Sequence, residues 1–236
     1  MKVAATPTLI IDADDTLWEN NIYFEEATQR FLDLAETYGA ERESTHARLV
    51  AIERRNIPVH GYGSGGFTRS LMDTLEEVTA TPASSSDRAR ILALAQRVRR
   101  MPIQYLPGVK ETLPLLKQTH RLILFTKGDE LEQRDKVERS GAASFFHEVE
   151  VTAEKRPDDY MRLVETHDIR HEVSWMVGNS PRSDINPALG VGLGAVFIPH
   201  PQTWSLEHEE VRPTRGGRLK ILKSFSELLD HFFEKR

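Results

Sequence analysis

The stretch Leu9–Leu17 reads Leu-Ile-Ile-Asp-Ala-Asp-Asp-Thr-Leu, an apolar run that ends abruptly in acidic residues. The apolar residues predict a short buried strand. Because residues two apart in an extended chain point to the same side, we expect Asp12 and Asp14 to face one site. Two carboxylates in a partly dry site repel each other, and a divalent cation that prefers hard oxygen ligands, such as Mg2+, removes that cost. The stretch therefore predicts a metal-assisted active site at the end of the strand.

Further positions that can carry chemistry follow later along the chain. They are Thr126 after the apolar run Arg121–Phe125, Lys155 ahead of a predicted helix, and Gly178-Asn179-Ser180 with Asp184 after Trp175–Val177. With the first stretch they resemble, in order, the four motifs of the haloacid dehalogenase (HAD) superfamily. Those motifs are Asp-x-Asp-x-Thr after a strand, a Ser or Thr at a strand tip, a Lys opening a helix, and Gly-Asp-Ser with a second Asp shortly after. Asn179 departs from the pattern, since many members carry a second acid there.

The resemblance implies a fold as well as a site. We expect an α/β fold, with a Rossmann-like parallel-sheet core and an all-helical cap inserted after the first strand, as in the phosphatase branch. Hydrophobic periodicity agrees, because 20–101 has helical spacing, whereas apolar strands alternate with helices after Pro102. The core is placed at 1–19 and 102–236 and the cap at 20–101. Strands are expected near 8–12, 121–126, 146–151, 173–177 and 194–198, and core helices near 108–118, 129–140, 158–168, 184–190 and 225–233.

Within the cap, four helices are expected near 24–38, from 49 to a stop before Pro58, at 67–78 and at 91–98, the last with Asp87 as a candidate cap. The segment Gly61–Gly66 fits Gly-x-Gly-x-x-Gly, a dinucleotide fingerprint that requires a preceding strand. A helical segment precedes it here. We interpret it as a flexible cap loop that either selects substrate or merely connects two helices.

The resemblance implies a role in phosphoryl transfer for each motif residue. Asp12 is expected to be the nucleophile that forms an aspartyl-phosphate, and Asp14 to protonate the leaving oxygen and then activate the water. The phosphate is expected to meet a hydroxyl, an ammonium group and backbone N–H groups near a helix start, supplied by Thr126, Lys127, Gly128 and Lys155. Magnesium is expected at Asp12, Asp184, the backbone carbonyl of Asp14 and the amide oxygen of Asn179.

Several of these residues have a structural alternative. Thr126 is equally suited to cap a helix, and Arg156 competes with Lys155, although Tyr160 one turn later favours Lys155. His200 and Trp204 are candidates for contact with a leaving group, with packing as the alternative.

Composition excludes several classes of protein. The chain of 236 residues is 39% hydrophobic and 28% charged, with a net charge of −5, so no basic field points to nucleic acid. It has no cysteine, which excludes disulfides, thiolate zinc sites and a cysteine nucleophile. No run reaches the roughly 20 apolar residues that cross a bilayer, and the N-terminus lacks an apolar signal core. We expect a cytoplasmic protein without a membrane partner, and the oligomeric state is left open.

The sequence thus predicts a magnesium-dependent phosphatase acting on a small phosphorylated metabolite. A dehalogenase is the rival within the superfamily, but it uses the first Asp without metal or leaving-group acid, and Asp14 and Asp184 argue against it. The alternative of another class is a non-catalytic HAD-like protein that binds a phosphorylated ligand or a partner chain. An EF-hand loop starting at Asp12 would need Gly in place of Leu17, and no P-loop motif is present.

Overall fold

The computed structural model describes residues 7–212 and 218–233 of the chain. They divide into two compact units, one formed by the described residues of Met1–Asn21 and Ile103–Arg236, the other by Ile22–Pro102. Residues 1–6, which belong to the predicted core, lie outside the described residues.

The first unit is built on a parallel sheet. Its described strands are β1 Thr8–Ile11, β2 Arg121–Lys127, β3 Glu148–Thr152, β4 Trp175–Gly178, β5 Gly194–Phe197 and β6 Leu219–Ile221. They lie in the order β3-β2-β1-β4-β5-β6, and every adjacent pair is parallel. The predicted α/β fold with a parallel sheet is confirmed. The chain order of the strands reverses at β1, so β1 and its neighbours flank the crevice where such sheets bind ligands.

Alternation along β1 separates two hydrophobic cores. Leu9 and Ile11 pack into one cluster of buried residues, whereas Ile10 packs into another on the opposite face. A strand buried on both faces is what a parallel sheet between helices requires. The helices of this unit are α5 Val109–Lys117, α6 Glu130–Ser140, α7 Pro157–Thr166, α8 Asn186–Gly190 and α9 Leu228–Phe232.

Some elements of this unit differ from the sequence prediction. Strand β6 was not expected, because three partly exposed residues at a sheet edge carry too weak an apolar pattern. The helix expected at 184–190 is a π-helical turn, Pro181–Ile185, that runs into α8. The helix expected at 225–233 is a 3-10 turn, Phe225–Glu227, followed by the short α9.

The second unit contains four helices, α1 Asn21–Glu36, α2 Arg42–His60, α3 Ser64–Thr79 and α4 Ser85–Arg100. Their apolar faces share one buried cluster that includes Phe31, Leu49, Leu71 and Ile91. The unit therefore has its own hydrophobic core. None of the helices described in either unit is long and apolar enough to span a membrane.

Two local predictions for these helices are wrong, and the connection expected at Gly61–Gly66 is shorter than predicted. Helix α2 continues through Pro58, and it ends with the Gly61 N–H donating to the Ile57 carbonyl at 2.9 Å. Ser84 caps α4, while Asp87 completes the capping box from inside the helix. The segment Gly61–Gly66 is not an open loop, since α3 begins at Ser64 and only three residues connect it to α2.

Candidate active site

The predicted functional positions meet at the carboxyl ends of neighbouring strands. Asp12 follows β1, Thr126 is the next-to-last residue of β2, and Asn179 follows β4. Because these parallel strands are direct neighbours, their carboxyl ends bring the three positions together.

The chain turns sharply after β1. The Asp12 N–H still donates to the Val177 carbonyl at 2.9 Å, but the chain then folds back on the Ala13 carbonyl, and Asp15 has a left-handed φ of 59°. Strand β1 ends at Ile11, so Asp12 and Asp14 both follow the strand, and Asp14 forms an isolated bridge with Trp18. That Asp12 and Asp14 face one site stays a prediction.

A buried ammonium group joins two carboxylates at the centre of the site. Lys155 Nζ donates to Asp12 Oδ1 at 2.5 Å and to Asp184 Oδ1 at 2.8 Å, and 1% of the Lys155 side chain is exposed. The competing candidate Arg156 is 73% exposed and lies 3.9 Å from Glu154. Lys155 is therefore the cation that the structure brings to Asp12.

Burial and the neighbouring carboxylate disfavour the ionised form of Asp12. Burial, and next the charge of Asp184, raise the pKa of Asp12 to about 7, against the opposing effect of Lys155. Burial acts to lower the pKa of Lys155, but the two carboxylates outweigh it and leave that pKa raised. A further cation beside these carboxylates would favour the ionised form of Asp12.

Gly178 provides the space in which the Asp184 carboxylate lies. A Cβ atom at position 178 would be 2.2 Å from Asp184 Oδ2. That oxygen also accepts the Ser180 N–H at 3.0 Å, while Oδ1 accepts from Lys155. Any residue other than glycine would push this carboxylate away from the tip of β4.

Asn179 is connected to the nucleophile position through a hydroxyl. Thr16 Oγ1 lies 3.0 Å from Asp12 Oδ2 and 3.1 Å from Asn179 Oδ1, within hydrogen-bond distance of both. The other end of the amide is also held, because Asn179 Nδ2 donates to Thr203 Oγ1 at 3.0 Å. An amide oxygen has two lone pairs, so Oδ1 can accept from Thr16 and still face a metal ion or water.

Three donors hold the Asp14 carboxylate. Trp18 Nε1 donates to Oδ1 at 2.8 Å, Gln133 Nε2 donates to Oδ2 at 3.1 Å, and Lys136 Nζ lies 2.7 and 2.5 Å from the two oxygens. Gln133 and Lys136 are three residues apart on α6 and so lie on one face of the helix. Sequence reasoning missed both, and their spacing on a predicted helix was the available signal.

The groups predicted to bind phosphate differ in part from expectation. Thr126 is buried, and its Oγ1 accepts from Gln133 Nε2 at 2.6 Å. It does not cap α6, whose cap is Asp129. The Gly128 N–H donates to the Thr152 carbonyl at 2.9 Å, so the expectation of an open N–H at Gly128 is wrong. That group extends the hydrogen bonding between β2 and β3.

The Lys127 side chain is directed at a carboxylate that no motif marks. Glu207, in the turn Ser205–Glu207, accepts from Lys127 Nζ, from Ser180 Oγ at 2.6 Å and from Ser183 Oγ at 2.5 Å. Burial acts to raise the pKa of Glu207, but Lys127 and the two hydroxyls lower it to about 2. The ammonium group of Lys127 therefore binds Glu207, whereas the sequence predicted that it would bind the phosphate.

A second group of possible metal ligands involves Asp15, Glu19 and His200. Their ligating atoms lie within 4.8 Å of one another, so the trio could hold a metal ion. However, the Asp15 carboxylate already accepts the N–H groups of Asn20 and Asn21, where α1 begins. Burial raises the pKa of Asp15 to about 7. His200, considered as a leaving-group contact, has Nε2 3.3 Å from Glu19.

The residues around Lys155 fit a hard divalent cation. Asp12, Asp184, the Asp14 carbonyl and Asn179 offer only oxygen donors, which is the set that magnesium prefers. The two carboxylates of Asp12 and Asp184 share the single ammonium group of Lys155, so a further cation would find unbalanced negative charge here.

Comparisons with known proteins show the family of the chain. A family model described as a haloacid dehalogenase-like hydrolase matches residues 6–192. A haloacid dehalogenase-like family hydrolase from Xanthomonas campestris is 30% identical, with a TM-score of 0.83, over 96% of this chain and 91% of that chain. No curated protein sequence gives a significant match.

More distant structures share the fold alone. A predicted phosphoglycolate phosphatase from Haemophilus somnus is 16% identical, with a TM-score of 0.66, over 95% of this chain and 97% of that one. An L-2-haloacid dehalogenase from Xanthobacter autotrophicus is 12% identical, with a TM-score of 0.67, over 98% and 100%. One of these two proteins is described as a phosphatase and the other as a dehalogenase. The fold therefore does not distinguish a phosphate ester from a halide as the substrate, and only the residues of the site can.

Proposed function

The chain belongs to the haloacid dehalogenase-like hydrolases, and from this premise we propose that it is a magnesium-dependent phosphatase acting on a small phosphorylated metabolite. The observation that carries the proposal is the buried group of Asp12, Asp184 and Lys155, with Asp14 two residues after the nucleophile position. A phosphate ester needs a nucleophile, charge neutralisation and an acid for its leaving group, and this group supplies all three.

In the proposed reaction, Asp12 attacks phosphorus through a carboxylate oxygen and the bond to the leaving oxygen breaks, which gives an aspartyl-phosphate. Lys155 Nζ lies 2.5 Å from Asp12 Oδ1. Its positive charge offsets the negative charge of the carboxylate and of the phosphoryl oxygens. Gln133 donates to Thr126 Oγ1, so the hydroxyl proton of Thr126 is directed at another acceptor. A phosphoryl oxygen is the acceptor that we propose.

Asp14 is proposed to move the protons. In its neutral form it donates a proton to the leaving oxygen, and as a carboxylate it then takes a proton from the water that attacks the aspartyl-phosphate. Hydrolysis releases inorganic phosphate, regenerates Asp12 as a carboxylate and returns Asp14 to its neutral form. Trp18, Gln133 and Lys136 hold the carboxyl group of Asp14 in position.

Magnesium would be held by Asp12, Asp184, the Asp14 carbonyl and Asn179, and when bound it would supply positive charge for the phosphoryl oxygens. Asp184 and Asn179 have fixed orientations for this role. Asp184 lies against Gly178, and Asn179 lies between Thr16 and Thr203.

A dehalogenase is the second candidate, because several structural neighbours are described as dehalogenases. A halide leaves without a proton and needs no metal ion. The three donors on Asp14 and the packing of Asp184 against Gly178 would then have no part in the reaction. These two carboxylates favour the phosphatase.

The test compares two products. We expect phosphate release from para-nitrophenyl phosphate and from some small phosphate esters in magnesium, with no release in excess chelator and none from Asp12→Asn or Asp184→Asn. Asp14→Asn should retain activity only on the aryl ester, whose leaving group needs little protonation. The exposed Asp135→Asn is the matched control. Halide release from 2-chloropropionate that survives chelation would instead establish the dehalogenase, and no turnover of either kind would favour a non-catalytic protein.

A further inference from the structure

Glu207 is a buried carboxylate that lies outside all four motifs. It comes from the turn Ser205–Glu207, which follows β5, and 10% of its side chain is exposed. One oxygen accepts from Lys127 Nζ, and the other accepts from the hydroxyls of Ser180 and Ser183. A single carboxylate thus satisfies three donors from two separate parts of the chain.

The two serines belong to the loop that carries the proposed metal ligands. Ser180 Oγ accepts the Ser183 N–H at 2.9 Å, which closes the turn between the two residues. The Ser180 N–H in turn donates to Asp184 Oδ2 at 3.0 Å. The position of Ser180 therefore determines where one oxygen of Asp184 lies, and Glu207 determines where Ser180 lies.

The third donor connects this loop to the neighbouring strand end. Lys127 is the last residue of β2 and immediately follows Thr126. Its Nζ also donates to Ser183 Oγ at 2.9 Å, so Lys127 and Glu207 both contact the loop after β4. A second contact joins the loop after β4 to the turn that carries Glu207, because Arg182 donates to the Leu206 carbonyl at 2.8 Å.

We propose that Glu207 is a positioning residue that holds the loop 179–184 in the geometry in which Asp184 and Asn179 bind magnesium. This inference rests on the proposed function. The physical reason is that the lysine and both serine hydroxyls are donors, and Glu207 is the acceptor that they share. Without Glu207, the hydroxyls of Ser180 and Ser183 lose the acceptor that they share, although Lys127 keeps its bond to Ser183 Oγ. Unsatisfied buried donors favour rearrangement of the loop. Residues that orient metal ligands in this way typically change metal affinity or activity by about 10- to 100-fold when replaced.

The first variant is Glu207→Gln, which retains size but not acceptor capacity. A glutamine has one acceptor oxygen and one NH2 group, which only donates. The variant therefore satisfies either Lys127 or the serine pair, but not both. Glu209→Gln is the matched control, because Glu209 is two residues away and binds Arg212 and Asn186 instead of the serines.

The measurement is Mn2+ binding by electron paramagnetic resonance on the full chain without substrate, so that no contact of Lys127 with phosphate enters. We expect the Kd of Glu207→Gln for Mn2+ to rise by roughly tenfold or more. Phosphate release should fall at low magnesium and recover at high magnesium, so the half-saturating magnesium concentration changes more than kcat. Glu209→Gln should match wild type in both measurements.

Rescue separates positioning from a general loss of stability. The double variant Lys127→Met/Glu207→Gln has no ammonium group at position 127. The glutamine oxygen is then free to accept from the two serine hydroxyls. We expect the Mn2+ affinity of the double variant to return most of the way to wild type. If Glu207→Gln does not fold, Ser183→Ala, which removes one donor to Glu207, takes its place and should raise the Kd in the same direction.

A folded Glu207→Gln, or Ser183→Ala in its place, with wild-type Mn2+ affinity overturns the inference, even if the variant melts earlier. Failure of the double variant to recover affinity also overturns it. A wild-type protein that binds Mn2+ but releases no phosphate refutes the proposed function alone, because the metal affinities of the variants still test Glu207. A wild-type protein that does not bind Mn2+ refutes both.

Discussion

Charge burial dominates the site at the scale of single residues. Asp12 and Asp184 are both buried and share one ammonium group, and the pKa of Asp12 is raised to about 7 by burial and by Asp184. Natural active sites commonly retain such unfavourable charge because it is used in binding and chemistry. Asp12 should therefore reduce the stability of the metal-free protein while it supports turnover.

The first prediction is that Asp12→Asn is inactive but more stable than wild type in chelator at pH 8. The pKa of Asp12 in the folded protein, about 7, lies above its ordinary value of 3.8, so the folded protein holds this proton more tightly than the unfolded chain. The contribution of Asp12 to stability therefore falls as pH rises from about 4 to 7. At pH 8 the neutral asparagine avoids that cost, and we expect a gain of about 1–3 kcal/mol in the free energy of unfolding.

Urea denaturation at two pH values checks this prediction. At pH 5 wild-type Asp12 is already protonated in the folded protein, so the gain of Asp12→Asn should nearly vanish. The exposed Asp135→Asn should remain within about 0.5 kcal/mol of wild type at both values. A gain for Asp12→Asn that does not depend on pH would mean that buried charge is not its cause.

At the scale of elements, the loop after β4 shows how a short strand presents a ligand. The strand ends at Gly178, and the π-helical turn Pro181–Ile185 carries Asp184 back over that glycine. Tyr160 from α7 supports the turn by donating to the Ser183 carbonyl at 2.9 Å. The absent Cβ of Gly178 and the contacts of the loop together define the position of Asp184.

The second prediction concerns Gly178→Ala. The added Cβ would lie 2.2 Å from Asp184 Oδ2, so the carboxylate has to move. We expect a loss of at least about tenfold in Mn2+ affinity and in phosphate release, with about 1–3 kcal/mol of stability lost to overpacking. Gly190→Ala is the control, because nothing lies within 4 Å of its added Cβ. Wild-type metal affinity in Gly178→Ala would show that Asp184 is not a ligand.

At the scale of the whole molecule, the chain consists of two units with separate hydrophobic cores. All residues proposed to hold magnesium lie in the α/β unit, although the helical unit interrupts that unit in sequence between Asn21 and Ile103. Damage to the packing of one unit should therefore affect metal binding only when it occurs in the α/β unit.

The third prediction uses Gly66→Ala, which creates a clash of the same size in the helical unit. Its Cβ would lie 2.2 Å from the Gly61 carbonyl oxygen. We expect a stability loss of about 1–3 kcal/mol but a Mn2+ affinity within about twofold of wild type. The control is Gly65→Ala, where the added Cβ meets nothing and a helical alanine stabilises by about 0.5–1 kcal/mol. A tenfold loss of metal affinity in Gly66→Ala would show that the two units are energetically coupled.

Local pattern predicted much of the fold, and the errors have physical causes. The apolar runs at β1, β2, β4 and β5 were visible because central parallel strands are buried on both faces. The edge strand β6 was not visible, since half-exposed residues carry little pattern. Pro58 misled because a proline lacks the N–H of a helical hydrogen bond, yet α2 continues past it and the Gly61 N–H still donates to the Ile57 carbonyl.

The sequence by itself determined the α/β fold, the family and the order of the acidic, hydroxyl and lysine positions, because strand burial and short motifs are local properties of the chain. The sequence also favoured Lys155 over Arg156, and the structure agrees, since Lys155 reaches Asp12. Only the tertiary structure decided that Gln133 and Lys136 hold Asp14 and that Glu207 binds Lys127 and the serines. These contacts join residues far apart in the chain. Which distant groups meet depends on strand order and on the turns after the strands, and neither is expressed in local periodicity.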